Sequence, residues 1–514
     1  MKKNIFLFEK EKLMNYFKAS KFSFLVILLF ILLVYGQRII SNSFSMDTEH
    51  YIYSYSSNFE WWLILNRWGL VLINKIFGFT PLVFWVTNFL TVLMIFVYSI
   101  SFNYLFYSLI DDRYKKVFTK VQFIFPIIFV TSPIFVEQYN FLNQNFAVSL
   151  AIFLCSISLF LIIRAEMFDS KKIKFLVYFI SILLSTLSFG VYQSLITLYI
   201  LGFVSCYFLK LFFSKDNYSF KFLIKNMIIF GISCLLYFAI CKIFGYTNSY
   251  LKFEWFSNPV LHVLRNICYA SISVIKCETI FYNVSYLIAL IFIFVFFIYN
   301  LLAKKINFEK ILCFLGLVLS PFYLFIITGA NQLKRTQFNY SFFIGFVFLF
   351  FLMFLYDRFK NKVLAYLLIF VSIGVAYRQS YISANLFHSD NLRFNSDVTL
   401  ANKIQYDIEK VDNYNSNFKY TIIFLGHKYD KPMNSWLSGE VIGSSFFEFD
   451  YKEIYGVNQR ANIFMKTLGY DYEFASREQF DWAKKYSDEM KPFPNKGYIS
   501  IKGNNIIVKL SDDI

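Results

Sequence analysis

For its first 380 residues this chain is a succession of long apolar segments divided by short polar breaks. A hydrocarbon layer about 30 Å thick is crossed by roughly 20 apolar residues in a helix. A helix satisfies its own backbone bonds, which lipid cannot do for it. Eleven such segments are predicted, near 22–38, 82–109, 122–138, 145–163, 175–191, 193–212, 227–245, 283–302, 311–329, 340–356 and 362–379. The expected fold class is a polytopic α-helical membrane protein of about eleven transmembrane helices. Only Tyr192-Gln193-Ser194 separates the fifth segment from the sixth. The first segment lacks a small-residue cleavage site, so it reads as a retained anchor.

Composition agrees. The chain is 57% hydrophobic and 22% aromatic, with 69 Phe, far too apolar for an ordinary soluble domain. The net charge of +17 comes from Lys and Arg in short loops and forms no continuous stripe, so nucleic acid is not the expected partner. Of the seven cysteines, Cys155, Cys206, Cys234, Cys241 and Cys313 lie in apolar runs. Cys268 and Cys277 share one predicted outer loop, where they either pair or stay free thiols.

Cytoplasmic loops carry the excess of Lys and Arg. Lys2, Lys3, Lys10, Lys12, Lys18 and Lys21 precede the first segment. Alternate loops hold Arg113/Lys115/Lys116, Lys171/Lys172/Lys174, Lys215/Lys221/Lys225, Lys304/Lys305 and Arg358/Lys360/Lys362. With eleven crossings these share one side, which makes the amino terminus cytoplasmic and the carboxy terminus extracytoplasmic. The outer side then receives residues 39–80, Glu137–Asn145, 246–282, 330–339 and everything after about 380.

Two outer regions have their own character. Within 39–80, residues 59–78 read as a helix lying in the interface, with Arg67 and Asn74 on one face and Trp61, Leu65, Trp68 and Leu72 on the other. A short re-entrant helix is the alternative. Residues 381–514 read as a separate small α/β domain beside the multi-pass domain 1–380. Ala401, Ile404, Ile408 and Val411 follow a helical period, and Tyr420–Leu425 reads as a strand stopped by Gly426. Ala461, Phe464, Met465 and Leu468 form a helical face, Ser476 with Gln479 a capping box, and Gly503-Asn504 the turn of a hairpin.

Chemistry is expected where polar groups gather on the outer side. Asp47 and Glu49, two residues apart, can act as a general base and as a ligand for sugar or a hard divalent cation. A solvated loop of ordinary charge is the plainer reading. Arg67, Lys334, Arg335 and Arg378 can stabilise negative charge on a departing phosphate, or else snorkel to lipid headgroups. Glu137, Gln138, Asn140, Asn143, Gln144 and Asn145 cluster at one break, and Tyr192, Gln193 and Ser194 at another. They suit sugar recognition, or they satisfy helix ends. No Gly-Lys-Ser/Thr phosphate loop, Gly-x-Gly-x-x-Gly or His-Glu-x-x-His occurs. Four scattered histidines argue against zinc, with His50 at most a minor ligand and His427 a turn residue.

Five stretches together resemble a known family: Asp47-Thr48-Glu49-His50; Trp61–Gly69 with its Asn-Arg-Trp-Gly core; Phe189–Ser194; Lys334-Arg335; and Gly439–Phe447. The chain resembles the bacterial polytopic glucosyltransferases of the O-antigen serotype-conversion type. That resemblance implies a GT-C-like membrane glycosyltransferase moving a hexose, glucose, from a polyprenyl-phosphate donor to a cell-surface glycan. It implies work on the outer face of the bacterial cytoplasmic membrane. Asp47 is then the catalytic base or metal ligand, with Glu49 second and a Mg or Mn ion the cofactor. Thr48 stands where related motifs pair two Asp. Arg67, Arg335 and Lys334 fall to the donor phosphate. Trp61, Trp62, Asn66, Glu137, Tyr192 and Gln193 fall to sugar and acceptor. The rival readings are a lipid-linked oligosaccharide flippase or transporter, and a polysaccharide polymerase or ligase. Spans nearly free of charge and a sizeable outer domain weigh against a transporter.

Overall fold

The computed structural model describes residues 5–214, 220–244, 253–359, 362–428 and 437–514. Lys2, Lys3, Lys215 and Lys360 of the basic loops lie outside the described residues, as do the side chains of Lys221 and Lys362. Among the described residues ten helices are long and apolar enough to cross a membrane. They are Lys21–Ile40, Phe84–Tyr107, Asn145–Ala165, Lys171–Val191, Leu195–Phe213, Phe222–Ile243, Ser285–Leu302, Phe308–Thr328, Phe338–Arg358 and Val363–Glu409.

The eleventh expected helix, 122–138, is broken. It consists of Ile124–Val130 and Pro133–Tyr139, both wholly buried. Pro133 disfavours helix at the residue before it, and Ser132 is extended there. Neighbours satisfy the freed carbonyls: the Tyr35 hydroxyl donates to Val130 O and the Ser383 hydroxyl to Thr131 O, each at 2.7 Å. The broken pair still traverses the bundle. Gln122 donates to Ser20 at the start of the first span, and Arg38 at that span's far end donates to the Asn140 carbonyl. Among the described residues ten long apolar helices and this one broken, buried pair therefore run between the ends of the bundle.

Phe338–Arg358 is the central helix, and its apolar stretch is buried throughout. Gly345 lets it approach the broken crossing closely, since a Cβ there would lie 2.7 Å from the Phe125 carbonyl oxygen. The interfacial helix expected over 59–78 is two helices, Tyr55–Ile64 and Trp68–Phe77. The chain turns at Asn66, whose φ of 60° no helix continues through. Arg67 and Asn74 are both buried, not ranged along one wet face.

Charges sort to the bundle's two ends. At one, Glu9 pairs with Arg164 at 3.4 Å, and Glu166 with Lys174 at 2.8 Å and Lys225 at 2.6 Å. At the other, the last span runs on without a break as the 48-residue helix Lys362–Glu409. The boundary expected at 380/381 falls inside this helix, which carries the chain into the carboxy-terminal domain. There β1 (Thr421–Leu425), β2 (Ile499–Lys502) and β3 (Asn505–Lys509) form a sheet in the order β1-β3-β2. β1 runs parallel to β3 and β2 antiparallel to it. Ile422 and Phe424 face Ile404 and Phe464, whereas Ile423 and Leu425 face Phe480. With both faces covered, β1 is apolar at four of its five positions and buried at every one. The capping box at Ser476 and Gln479 and the hairpin at Gly503 form as the sequence predicts.

Candidate active site

The acidic cluster opens a short helix. Asp47 caps Thr48–Tyr53 in the left-handed region, which Asp tolerates better than most residues. Its side chain stands half-open, while Glu49 one turn inward is fully buried. A half-open acid beside a buried one needs a counter-charge. Arg460, from the helix Gln459–Thr467, supplies it. One guanidinium nitrogen donates to Asp47 Oδ1 at 3.0 Å and the other to Glu49 Oε1. Phe449 lies under the guanidinium at 5.3 Å.

This fork sets the protonation of the pair. Burial pushes the Asp47 carboxyl up, but the charge and hydrogen bond of Arg460 outweigh it. With Arg335 and His50 adding, Asp47 is held below the usual carboxylate range. Burial pushes Glu49 up to about 7 against the pull of Arg460. Burial, then Arg460, pushes His50 down to about 4, so it is neutral at physiological pH. Asp47 is thus an ionised acceptor at a wall, and Glu49 an inner carboxylate poised near neutrality.

That wall belongs to a cavity of ≈ 630 Å³ between residues 47–67 and 143–144 on one side and residues 455–474 on the other. Asp47, Trp61, Trp62, Arg67, Asn143, Gln144, Tyr455, Gln459 and Arg460 are among its lining residues. Arg67 is held by its neighbours: it donates to Gln144 Oε1 at 3.4 Å and its guanidinium lies 4.8 Å from the Tyr192 ring centre. The acid, an arginine on either side and two indoles therefore share one chamber.

Other expected site residues support that chamber from behind. Gln193 donates to the Leu65 carbonyl at 2.9 Å, and Tyr237 to that of Asn66 at 3.2 Å. Together they hold the break that presents Arg67. A Cβ on Gly69 would lie 2.7 Å from the Gly190 carbonyl carbon, and one on Gly190 would lie 2.5 Å from the Trp68 ring. The Asn-Arg-Trp-Gly stretch and the Phe-Gly-Val-Tyr-Gln-Ser stretch are thus two halves of one packed joint.

Glu137, Lys334 and Arg335 lie outside the cavity lining. Glu137 Oε1 accepts the Val441 N–H at 2.6 Å and the Ile442 N–H at 3.4 Å. Glu440 Oε2 accepts the Lys334 N–H at 2.7 Å. Asp390 accepts from Gly443 N, and Asp397 from Phe446 N and the Ser445 hydroxyl. These carboxylates bind the Gly439–Phe447 stretch as a strap across the bundle. Arg335 stacks on Phe141 at 5.0 Å and its charge reaches Asp47. Arg378 is exposed on the long helix beside Tyr381.

Arg460 bears on the metal expectation too. Its guanidinium fills the space between the two carboxylates. Among the described residues no three His, Cys, Asp or Glu side chains converge on a possible metal position. Asp47 and Glu49 as arranged do not fit a divalent cation. Cys268 and Cys277 are both free thiols.

A family model described as "Glucosyl transferase GtrII" matches residues 36–354. The chain belongs to this family. The matched stretch, well over half the chain, holds the acidic cluster, the Trp61–Gly69 and Phe189–Ser194 joint, and Lys334-Arg335. The strap and Arg460 follow it. The protein is therefore a glucosyltransferase, and its ten long apolar helices make it a multi-pass membrane protein. No curated protein and no solved structure matches the chain.

Arg460 is not marked out by the sequence as a site residue. Its only local signal is a basic residue on the polar side of the Ala461–Met465 helical face, which many solvated arginines share.

Proposed function

We propose that this glucosyltransferase moves glucose from a polyprenyl phosphate to a cell-surface polysaccharide, on the outer face of a bacterial cytoplasmic membrane. The observation that carries the reading is Asp47: an ionised carboxylate on the wall of a chamber that also presents Arg67. The chamber opens at the bundle end away from the Lys- and Arg-rich loops, the end expected outside the cell.

In the transfer an acceptor hydroxyl oxygen attacks the anomeric carbon of the donor. The new C–O bond forms as the bond from that carbon to the phosphate oxygen breaks. The electron pair leaves with the polyprenyl phosphate. Asp47 takes the acceptor's proton. Arg67 stabilises the charge gathering on the leaving phosphate, and its contacts with Gln144 and Tyr192 fix it for that task. Arg335 and Lys334 add positive potential from behind the wall. Arg460 keeps the Asp47 carboxylate ionised and aimed, and Glu49 anchors Arg460 through its other guanidinium nitrogen. Trp61 and Trp62 offer flat apolar surface to sugar rings. Asn66, Tyr192 and Gln193 hold Arg67, and Glu137 holds the strap.

The test is transfer itself. Membranes carrying the protein receive radiolabelled polyprenyl-phosphate glucose and the host's surface glycan. Label in the glycan supports the reading; label that crosses the bilayer without joining glycan overturns it.

A further inference from the structure

Tyr455 is the most conspicuous side chain in the chamber that no step above uses. It is 71% exposed, although Ile454 and Val457 on either side of it are buried. It makes no hydrogen bond or ring contact among the described residues. The turn that presents it is wound tightly: Gly456 has non-helical backbone, and a Cβ there would lie 1.7 Å from the Asp450 carbonyl oxygen. Only glycine fits there, and that close packing is what turns Tyr455 outward. An exposed aromatic ring on a cavity wall is suited to a ligand.

Its surroundings define which ligand. Trp61, 56% exposed, lines the same cavity from the other domain. Tyr53 and Phe474 close the rim edge to face at 5.5 Å, one from each domain. Ser57 and Asn58 supply hydroxyl and amide groups beside them. Flat rings with short neutral polar groups match a pyranose, which has apolar faces and a hydroxylated edge. The charged groups lining the cavity are Asp47, Arg67 and Arg460. Arg460 is committed to Asp47 and Glu49, and the donor phosphate takes Arg67, so the rim keeps no lining charge of its own to pair with an ionised acceptor.

We propose that this aromatic rim is the acceptor subsite, and that it binds an uncharged glycan with Tyr455 as its platform. The inference rests on the glucosyltransferase reading of the chamber. It adds that the carboxy-terminal domain selects the acceptor, and that selection is against charged sugars.

The test is a titration of the full-length protein in detergent, followed by Trp fluorescence, with no donor added. The probe is a neutral oligosaccharide fraction cut from the host's surface polysaccharide, with sulfated dextran as the charged control. Tyr455→Ala should weaken neutral binding about ten-fold, and Tyr455→Phe, which keeps the ring, should leave it within about two-fold. In turnover assays Tyr455→Ala should raise the acceptor KM by a like factor with the donor KM unchanged. An unchanged midpoint in Tyr455→Ala, or equal binding of sulfated dextran, would overturn the subsite. Neutral binding that depends on Tyr455 without transfer from the lipid donor would instead sink the donor assignment and leave the subsite standing.

Discussion

Arg460 Nη2 lies 3.0 Å from Asp47 Oδ1, although 413 residues of chain separate them. The contact joins the carboxy-terminal sheet region to the loop after the first span at Asp47, the carboxylate that lines the chamber among the described residues. It brings the acid and its counter-charge together from opposite ends of the sequence, so the chamber is complete only in the folded chain.

Asp47→Asn keeps the hydrogen-bonding shape but cannot take a proton. Transfer is expected to fall by about 10²–10⁴-fold with membrane insertion unchanged. Radiolabel assays beside a membrane-fraction blot check this; wild-type turnover would remove Asp47 from the mechanism. Arg460→Ala should move the acid limb of the pH–rate profile to higher pH, because the guanidinium holds Asp47 below its ordinary value.

Glu49 predicts a second titration. Burial raises it from 4.5 to about 7, so the rate profile should inflect near neutrality, and Glu49→Gln should lack that inflection. A raised value means the folded state holds the proton more tightly than the unfolded one. The stability this lends is full below 4.5 and is lost as pH rises through about 7. The melting temperature of wild type relative to Glu49→Gln should therefore fall between about pH 5 and about pH 8. A constant difference across that range contradicts the buried titration.

Arg67→Ala removes a charged donor from the chamber. Hydrogen bonds to ionised groups contribute about 1.5–3 kcal/mol, so kcat/KM for the lipid donor should drop about ten- to hundred-fold. The acceptor KM should hold. An equal loss for both substrates would reassign Arg67 from phosphate binding to structure.

Gly190→Ala probes the joint behind the chamber. The new methyl group meets the Trp68 ring, and overpacking of this kind costs about 1–3 kcal/mol. Thermal unfolding in detergent should shift down. An unmoved transition would mean that Trp68 has room to give.

Arg460 also predicts insensitivity to chelation. A divalent ion between Asp47 and Glu49 would have to displace a guanidinium bonded to both. Transfer should persist in EDTA. Loss of activity restored by Mg or Mn would show that a metal takes the place of Arg460 during turnover.

Much of the candidate site is legible in the primary structure, residue by residue. Asp47, Trp61, Trp62 and Arg67 all line the chamber, and each is marked by polar or amphipathic character inside an apolar context. Gln193 and Glu137 are marked by the same signal, yet they brace the backbone behind the wall. A polar group near a helix end looks alike in sequence whether it meets a substrate or a neighbouring N–H.

Apolar length and loop charge are local properties, and they alone marked the ten long apolar helices and the basic end of the bundle. Interruptions within an apolar stretch were not readable from its hydropathy. The break at Ser132-Pro133 and the turn at Asn66 depend on Tyr35, Ser383 and Gln193, distant residues that satisfy the freed backbone. The pairing of Arg460 with Asp47 and Glu49, and the strap held by Glu137, Asp390 and Asp397, were decided by tertiary structure. Periodicity states which face of an element is buried; only packing chooses the group buried against it.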